Sequence, residues 1–243
     1  MLSKQSINVC LVSDLFKNYH LTDSTIVVVV DLLRATSVIS TAFHYGIKDI
    51  IPVSSVADAK KFLNTKNTIV AAERNAEALD GFDYGNSPFQ YMSPEIKNKT
   101  LVLTTTNGTK AINMAKSFQV ITACFINVDS ICNYLINSKR DILILCSGWK
   151  GVFNLEDSIF SGYLIDRLTS RKEYNINCDS AQASLHLNKL AEADYFKFLL
   201  NSAHRKRLKN LNIEKDTIFC LNPNISSSII PTLVDGRLVQ MNL

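Results

Sequence analysis

The stretch Ile26-Val-Val-Val-Val-Asp31-Leu-Leu-Arg34-Ala-Thr36-Ser37 constrains this chain most. Five apolar β-formers end at a carboxylate, followed by an arginine and two hydroxyl residues able to open a helix. A continuous apolar run of this kind predicts a strand buried on both faces, as in a parallel sheet. In open α/β sheets, ligands bind outside the carboxyl ends of the strands. Asp31 therefore falls at a metal position, and Arg34 with the first turn of the next helix falls where a phosphate is welcome. The alternative is structural: Asp31 caps the helix and Arg34 pairs with a surface acid.

The rest of the chain bounds the problem. At 243 residues it can bury a full core, and α/β chains of this size are often one domain. We read 1–243 as a single domain; a division into lobes 1–118 and 119–243, with the site between them, stays open. Hydrophobic content is 47% and charged content 20%, the composition of a soluble globular protein. The net charge of +4 is too small to argue for nucleic acid. No apolar run approaches the roughly 20 residues of a membrane span. The start, Met1-Leu-Ser-Lys-Gln-Ser6, lacks the apolar core of a signal peptide. Six cysteines (Cys10, Cys124, Cys132, Cys146, Cys178 and Cys220) form no CxxC pair, which predicts reduced thiols and a cytoplasmic home. The assembly is left open between a single chain and a homodimer.

Strand-like and helix-like segments alternate. Strand patterns fall at 7–12, 26–30, 50–53, 68–71, 100–104, 120–123, 141–146 and 217–220. Helical patterns fall at 36–45, 56–64, 109–117, 128–137 and 155–169, then at 180–190 and 193–208. Gly46 suits a helix C-cap. This alternation predicts βαβ units, hence an α/β fold with a largely parallel sheet flanked by helices. Asp235-Gly236 between apolar runs predicts a short C-terminal β-hairpin. The segment 73–99 is non-periodic and carries Gly81, Gly85, Pro88 and Pro94; long loops of this kind are often functional.

Three further constellations follow strands. Thr104-Thr-Thr-Asn107-Gly108-Thr109-Lys110 places hydroxyls and a close-approach glycine before a helix, as an anion nest would. An ordinary Thr/Asn helix cap is the alternative. Cys146-Ser-Gly148-Trp-Lys150-Gly151 precedes Asn154-Leu-Glu156-Asp157. There a metal carboxylate competes with an Asn154–Asp157 capping arrangement. Glu73, like Asp31, follows a strand, and two such carboxylates could share a hard cation; an ion pair with Arg34 or Arg74 is the alternative. Several classes are excluded. Val152 stands where a cysteine phosphatase needs its arginine, and Leu33 where a haloacid-dehalogenase-type phosphatase needs its second acid. No P-loop, GxGxxG, GxSxG or HExxH motif is present.

Taken together, these blocks resemble the 2-phosphosulfolactate phosphatase (ComB-like) family. The matching blocks are Val30-Asp31-Leu-Leu-Arg34-Ala-Thr36-Ser37, Ala72-Glu73-Arg74 and Gly81-Phe-Asp83-Tyr-Gly85-Asn86-Ser87-Pro88. Thr104-Thr-Thr-Asn107-Gly108-Thr109-Lys110-Ala111, Asn127, Cys146-Ser-Gly148 with Glu156-Asp157, and Ser202-Ala-His204 complete them. The resemblance implies a magnesium-dependent hydrolase that removes phosphate from 2-phospho-3-sulfolactate, a step toward coenzyme M in methane producers. Two departures stand out: Asn75-Ala76 where Glu-Arg-x-Gly is usual, and His204-Arg205 where His-Gly is usual. They bear on substrate identity more than on phosphatase chemistry.

On this reading Asp31, Glu73 and Asp157 are metal ligands, and Asp31, Arg34, Glu73 and Asp157 are the catalytic set. Thr36, Ser37, Arg74, Asn86, Ser87, Thr105, Thr106, Asn107, Gly108, Thr109, Gly148 and His204 are assigned to substrate and phosphate. The partner is a small phosphorylated anion; nucleic acid and membrane are not expected. Arg74, Lys110, Lys150, His204 and Arg205 are candidates for a second anionic group, with Arg205 entering the site if its helix faces it. The competing reading is a regulatory protein that binds a phosphate ligand without turnover.

Overall fold

The computed structural model describes residues 5–75, 77–171, 174–208 and 213–241. Among them, eleven strands share one sheet. The strands are β1 (Gln5–Cys10), β2 (Ile26–Val30), β3 (Asp49–Pro52), β4 (Thr68–Arg74), β5 (Glu77–Ala78), β6 (Thr100–Thr104), β7 (Gln119–Thr122), β8 (Ile142–Cys146), β9 (Tyr174–Ile176), β10 (Pro231–Val234) and β11 (Arg237–Gln240). The helices are α1 (Ala35–His44), α2 (Val56–Lys60), α3 (Gly108–Met114), α4 (Val128–Ser138), α5 (Leu155–Thr169), α6 (Asp179–Ala191), α7 (Tyr195–Phe198), α8 (Ala203–Leu208) and α9 (Glu214–Cys220). The predicted α/β class, the largely parallel sheet and the C-terminal hairpin are all present.

The strand order is β5-β4-β6-β3-β11-β10-β7-β2-β8-β1-β9. Two parallel blocks result. One is β4-β6-β3; the other is β7-β2-β8-β1-β9. The chain-terminal hairpin β10–β11 lies between them and pairs antiparallel with β7 and β3. Three successive antiparallel pairings set the two blocks in opposite senses. The carboxyl ends of β6 and of β2 and β8 nevertheless come together: a Cβ built on Gly108, beyond β6, falls 2.6 Å from Asp31 Oδ2, beyond β2. Lys150 N–H, beyond β8, donates to Asn107 Oδ1, beyond β6, at 3.0 Å.

Strand β2 is buried throughout, which explains its unbroken valines. Alternate residues feed two cores, as strand geometry requires. Ile26, Val28 and Val30 pack with α4, α5 and α6 on one face. Val27 and Val29 pack with α1 and α3 on the other. Asp235 and Gly236 both have positive φ, +48° and +77°, as the tight hairpin turn demands.

Two segments differ from the sequence reading. The run Thr217-Ile-Phe-Cys220 is helical, not a strand. Glu214 and Asp216 favour its helix start, and the Thr217 hydroxyl bonds back to the Ile213 carbonyl at 3.1 Å. The single helix expected over 193–208 is broken: α7 and α8 are separated by a 3-10 turn and by Ser202, whose ψ of 153° is extended. The non-periodic segment after β4 also carries structure, with β5 and 3-10 turns at Pro88–Tyr91 and Pro94–Ile96.

Helix α5 lies against α6 at Gly162. A Cβ built there falls 1.9 Å from the Ser184 carbonyl oxygen and 2.8 Å from Asn188 Cβ. The obstruction is backbone, so no side-chain rotation relieves it. We expect Gly162→Ala to destabilise the protein by roughly 2–3 kcal/mol, lowering its melting temperature by about 4–12 °C, despite alanine's better helix propensity. An unchanged melting temperature would mean that the two helices are not in this contact.

Candidate active site

A cleft opens where the strand ends of the two blocks converge. It is lined by Asp31, Leu33, Arg34, Glu73, Asn86, Asn107, Gly148, Trp149, Asn154, Glu156, His204 and Arg207. Of the expected site residues, the fold brings Asp31, Arg34, Glu73, Asn86, Asn107, Gly148 and His204 to this wall.

Asp31 follows β2 and faces the start of α1. Its Oδ1 accepts the Ala35 N–H at 3.4 Å, and its carbonyl accepts the Thr36 N–H and hydroxyl, both at 2.9 Å. Gly108 is required because Asp31 passes so close: a Cβ there falls 2.6 Å from Asp31 Oδ2 and from Ala35 Cβ. The reason is space, since Gly108 is not among the positive-φ glycines. Arg34, at the end of a cis Leu33–Arg34 peptide, is buried and paired with Asp216. Asp216 in turn accepts the Ser87 hydroxyl at 2.8 Å. A chain Ser87–Asp216–Arg34 therefore fixes the guanidinium.

Glu73 crosses to the loop after β6, where its two oxygens accept the Thr106 N–H at 3.3 Å and the Thr106 hydroxyl at 3.2 Å. His204, on α8, holds Glu156 Oε1 through Nδ1 at 3.0 Å. His204 Nε2 and Asn86 Oδ1 are buried without a hydrogen-bond partner, and both residues line the cleft. Polar atoms left unsatisfied at a cleft wall are available to hydrogen-bond a ligand.

Other expected residues stand behind the wall. Thr36 and Ser37 turn inward, their hydroxyls on the carbonyls of Asp31 and Leu32. Arg74 bonds the Glu73 carbonyl and Thr104. Thr105 and Thr109 cap each other, each N–H donating to the other's hydroxyl at 3.2 Å. The helix-cap alternative thus accounts for these two threonines, and Asn107 alone of the turn lines the cleft. Lys110 pairs with exposed Asp14, and Arg205 stacks on Phe196 with Glu214 nearby, so Arg205 does not enter the site.

Asp157 is also behind the wall. Its carboxylate accepts the Leu32 N–H at 2.9 Å, the Ser147 hydroxyl at 3.0 Å, the Gly148 N–H at 3.2 Å and the Asn154 amide at 3.0 Å. The Asn154–Asp157 cap turns it inward, and Glu156, its neighbour, reaches the cleft. That cap spacing was visible in the sequence and marked the inward acid. Arg207 was likewise detectable: on a helix it lies one turn from His204, on the same face. Asp216 and Trp149 carried no such signal.

Burial pushes the Asp31 carboxyl up to about 8, with further repulsion from Asp157 and Glu73. Burial also raises Asp157, to about 6, with Glu156 adding to it; its four donors restrain the rise. Among the described residues the Asp31 carboxylate accepts one long N–H bond, at 3.4 Å, against four donors on Asp157. Among the described residues, no three of His, Cys, Asp or Glu form a ready ligand set. The donors that share the cleft, Asp31, Glu73 and Glu156, are hard oxygens. They suit a cation that keeps most of its water and takes few carboxylates.

The sign of the stability effect follows from the raised Asp31. The unfolded chain loses this proton near the ordinary carboxylate value, about 4, whereas the folded chain holds it to about 8. Stability is therefore fully present below about pH 4 and is lost as pH rises toward 8. In chelator, Asp31→Asn should match the parent in thermal melts at pH 4.5 and exceed it by several degrees at pH 8. Equal melting temperatures at pH 8 would remove the buried-charge penalty.

The 2-phosphosulpholactate phosphatase family profile matches residues 10–236. A probable 2-phosphosulfolactate phosphatase of Thermotoga petrophila is 40% identical over 209 residues, covering 86% of this chain and 89% of the relative. One of Caldanaerobacter subterraneus is 37% identical over 214 residues, covering 86% and 88%. One of Clostridium tetani is 36% identical over 234 residues, covering 95% and 98%. The chain belongs to the 2-phosphosulfolactate phosphatase family and is a phosphomonoester hydrolase.

Proposed function

We propose that the protein hydrolyses 2-phospho-3-sulfolactate, giving 3-sulfolactate and phosphate, with magnesium as its divalent cation. The observation that carries this reading is one cleft that brings an arginine, Arg34, beside hard carboxylates, Asp31, Glu73 and Glu156. The names of the relatives supply the substrate.

Asp31 and Glu73 are the residues assigned to the ion, directly or through water. When bound, magnesium would neutralise charge on the phosphoryl oxygens. Asp157 holds the loops beneath these residues through its four hydrogen bonds and has no contact with substrate in this scheme. Arg34, fixed by Asp216, presents a planar guanidinium to the phosphate. Asn107 and Asn86 offer polar groups to its remaining oxygens. Catalysis on this account is mainly positioning and electrostatic stabilisation of the transferring phosphoryl group. Water supplies the oxygen that joins phosphorus, and the ester oxygen leaves with a proton as the product hydroxyl.

Phosphate release from 2-phospho-3-sulfolactate should require magnesium, stop in chelator and return when the ion is restored. Full turnover after exhaustive chelation would overturn the magnesium assignment. Turnover of other phosphomonoesters with none of the sulfolactate ester would overturn the substrate.

Arg34→Lys separates charge from geometry. Lysine keeps the charge but cannot serve Asp216 and a phosphate through one planar fork. We expect kcat/KM to fall at least about tenfold, roughly 1.4 kcal/mol of transition-state stabilisation. Parent-like kinetics in the lysine variant would place Arg34 outside the phosphate site.

A further inference from the structure

The basic side chains of the cleft are not equivalent. Arg34 is paired with Asp216 and His204 with Glu156. Among the described residues lining the cleft, Arg207 is the basic group with no carboxylate within ion-pair distance, although the charge of Glu156 acts on it from further away. Its guanidinium lies 4.3 Å from the centroid of the Trp149 ring, and Trp149 lines the cleft beside it. Stacking on an indole holds an arginine in place while leaving its N–H edge able to meet an anion. Lys150 lies over the same ring at 5.1 Å, with its Nζ on Asn75 Oδ1 at 3.0 Å. The carboxyl groups of Asp31, Glu73 and Glu156 thus line one part of the cleft, and the Trp149 side carries the basic groups.

A plain phosphate ester has no use for this second, positive region. A substrate with another anion away from the phosphate does. We propose that Arg207, seated on Trp149, is a specificity-determining residue that binds the substrate's sulfonate. This rests on the substrate reading given above. The sulfonate oxygens stand one bond further from the ester carbon than the carboxylate oxygens do, so they are the anionic group that reaches furthest from the bound phosphate. The guanidinium fork matches two oxygens of such a group. Arg205, although nearer to His204 in sequence, faces Phe196 and Glu214 and takes no part.

The test compares two esters that differ only in the sulfonate: 2-phospho-3-sulfolactate and 2-phospholactate. Arg207→Gln should raise KM for the sulfonated ester about tenfold more than for 2-phospholactate, with kcat much less affected. Arg207→Lys should fall between the parent and the glutamine variant, because charge is kept while the stacked fork is lost. Equal KM changes for the two esters, or no change for either, would overturn the assignment. The parent protein separates the two levels of the argument. If it does not distinguish the esters, both the substrate reading and the role of Arg207 fall. If it prefers the sulfonated ester and the glutamine variant keeps that preference, only the role of Arg207 falls.

Discussion

The Asp157 carboxylate is the junction on which the site depends. Its hydrogen bonds come from Leu32 beyond β2, from Ser147 and Gly148 beyond β8, and from Asn154 at the start of α5. Three chain segments are thereby fixed at one fully buried point. Removing the acceptor would strand several buried donors, each costing about 1–3 kcal/mol. Burial raises both carboxyls, and each also has acidic neighbours, Asp157 and Glu73 at Asp31 and Glu156 at Asp157. One acid therefore carries structure, and another is kept under electrostatic stress beside Arg34.

The sheet makes that junction useful. A hairpin from the chain's end is inserted between two parallel blocks, reversing their relative sense, and residues beyond the carboxyl ends of both blocks still meet in one cleft. Glu73 and Asn107 come from one block, and Asp31 and Gly148 from the other. Gly108 lets the two sides close, since any side chain there would strike Asp31. The cleft is thus a property of the whole sheet and not of any one βαβ unit.

The chemistry of the cleft is divided in the same way. Polar residues with satisfied hydrogen bonds, such as Thr105 with Thr109 and Ser87 with Asp216, set the shape. Residues with unmet hydrogen-bonding capacity, His204 and Asn86, face the space a ligand would fill. Side chains that look equivalent in a motif separate once their partners are known. This explains why a block rich in hydroxyls contributes mainly Asn107 to the wall.

The order of amino acids was enough to specify the alternation of strands and helices, the doubly buried valine strand, the Asp-Gly hairpin and the acids after strands. These are encoded over a few residues by periodicity, capping and turn chemistry, so neighbours along the chain suffice to read them. It also held two local signals whose meaning needed the fold: the Asn154–Asp157 cap that turns Asp157 inward, and the helical spacing that puts Arg207 beside His204. The rest came from contacts between distant parts of the chain. Leu32 reaches Asp157 across 125 residues, and Arg34 meets Asp216 across 182. Whether Thr217–Cys220 is strand or helix, where the hairpin enters the sheet, and which arginine of α8 faces the cleft depend on such distant partners. No local pattern specifies them, because burial and hydrogen-bond satisfaction are settled only when separate parts of the chain pack together.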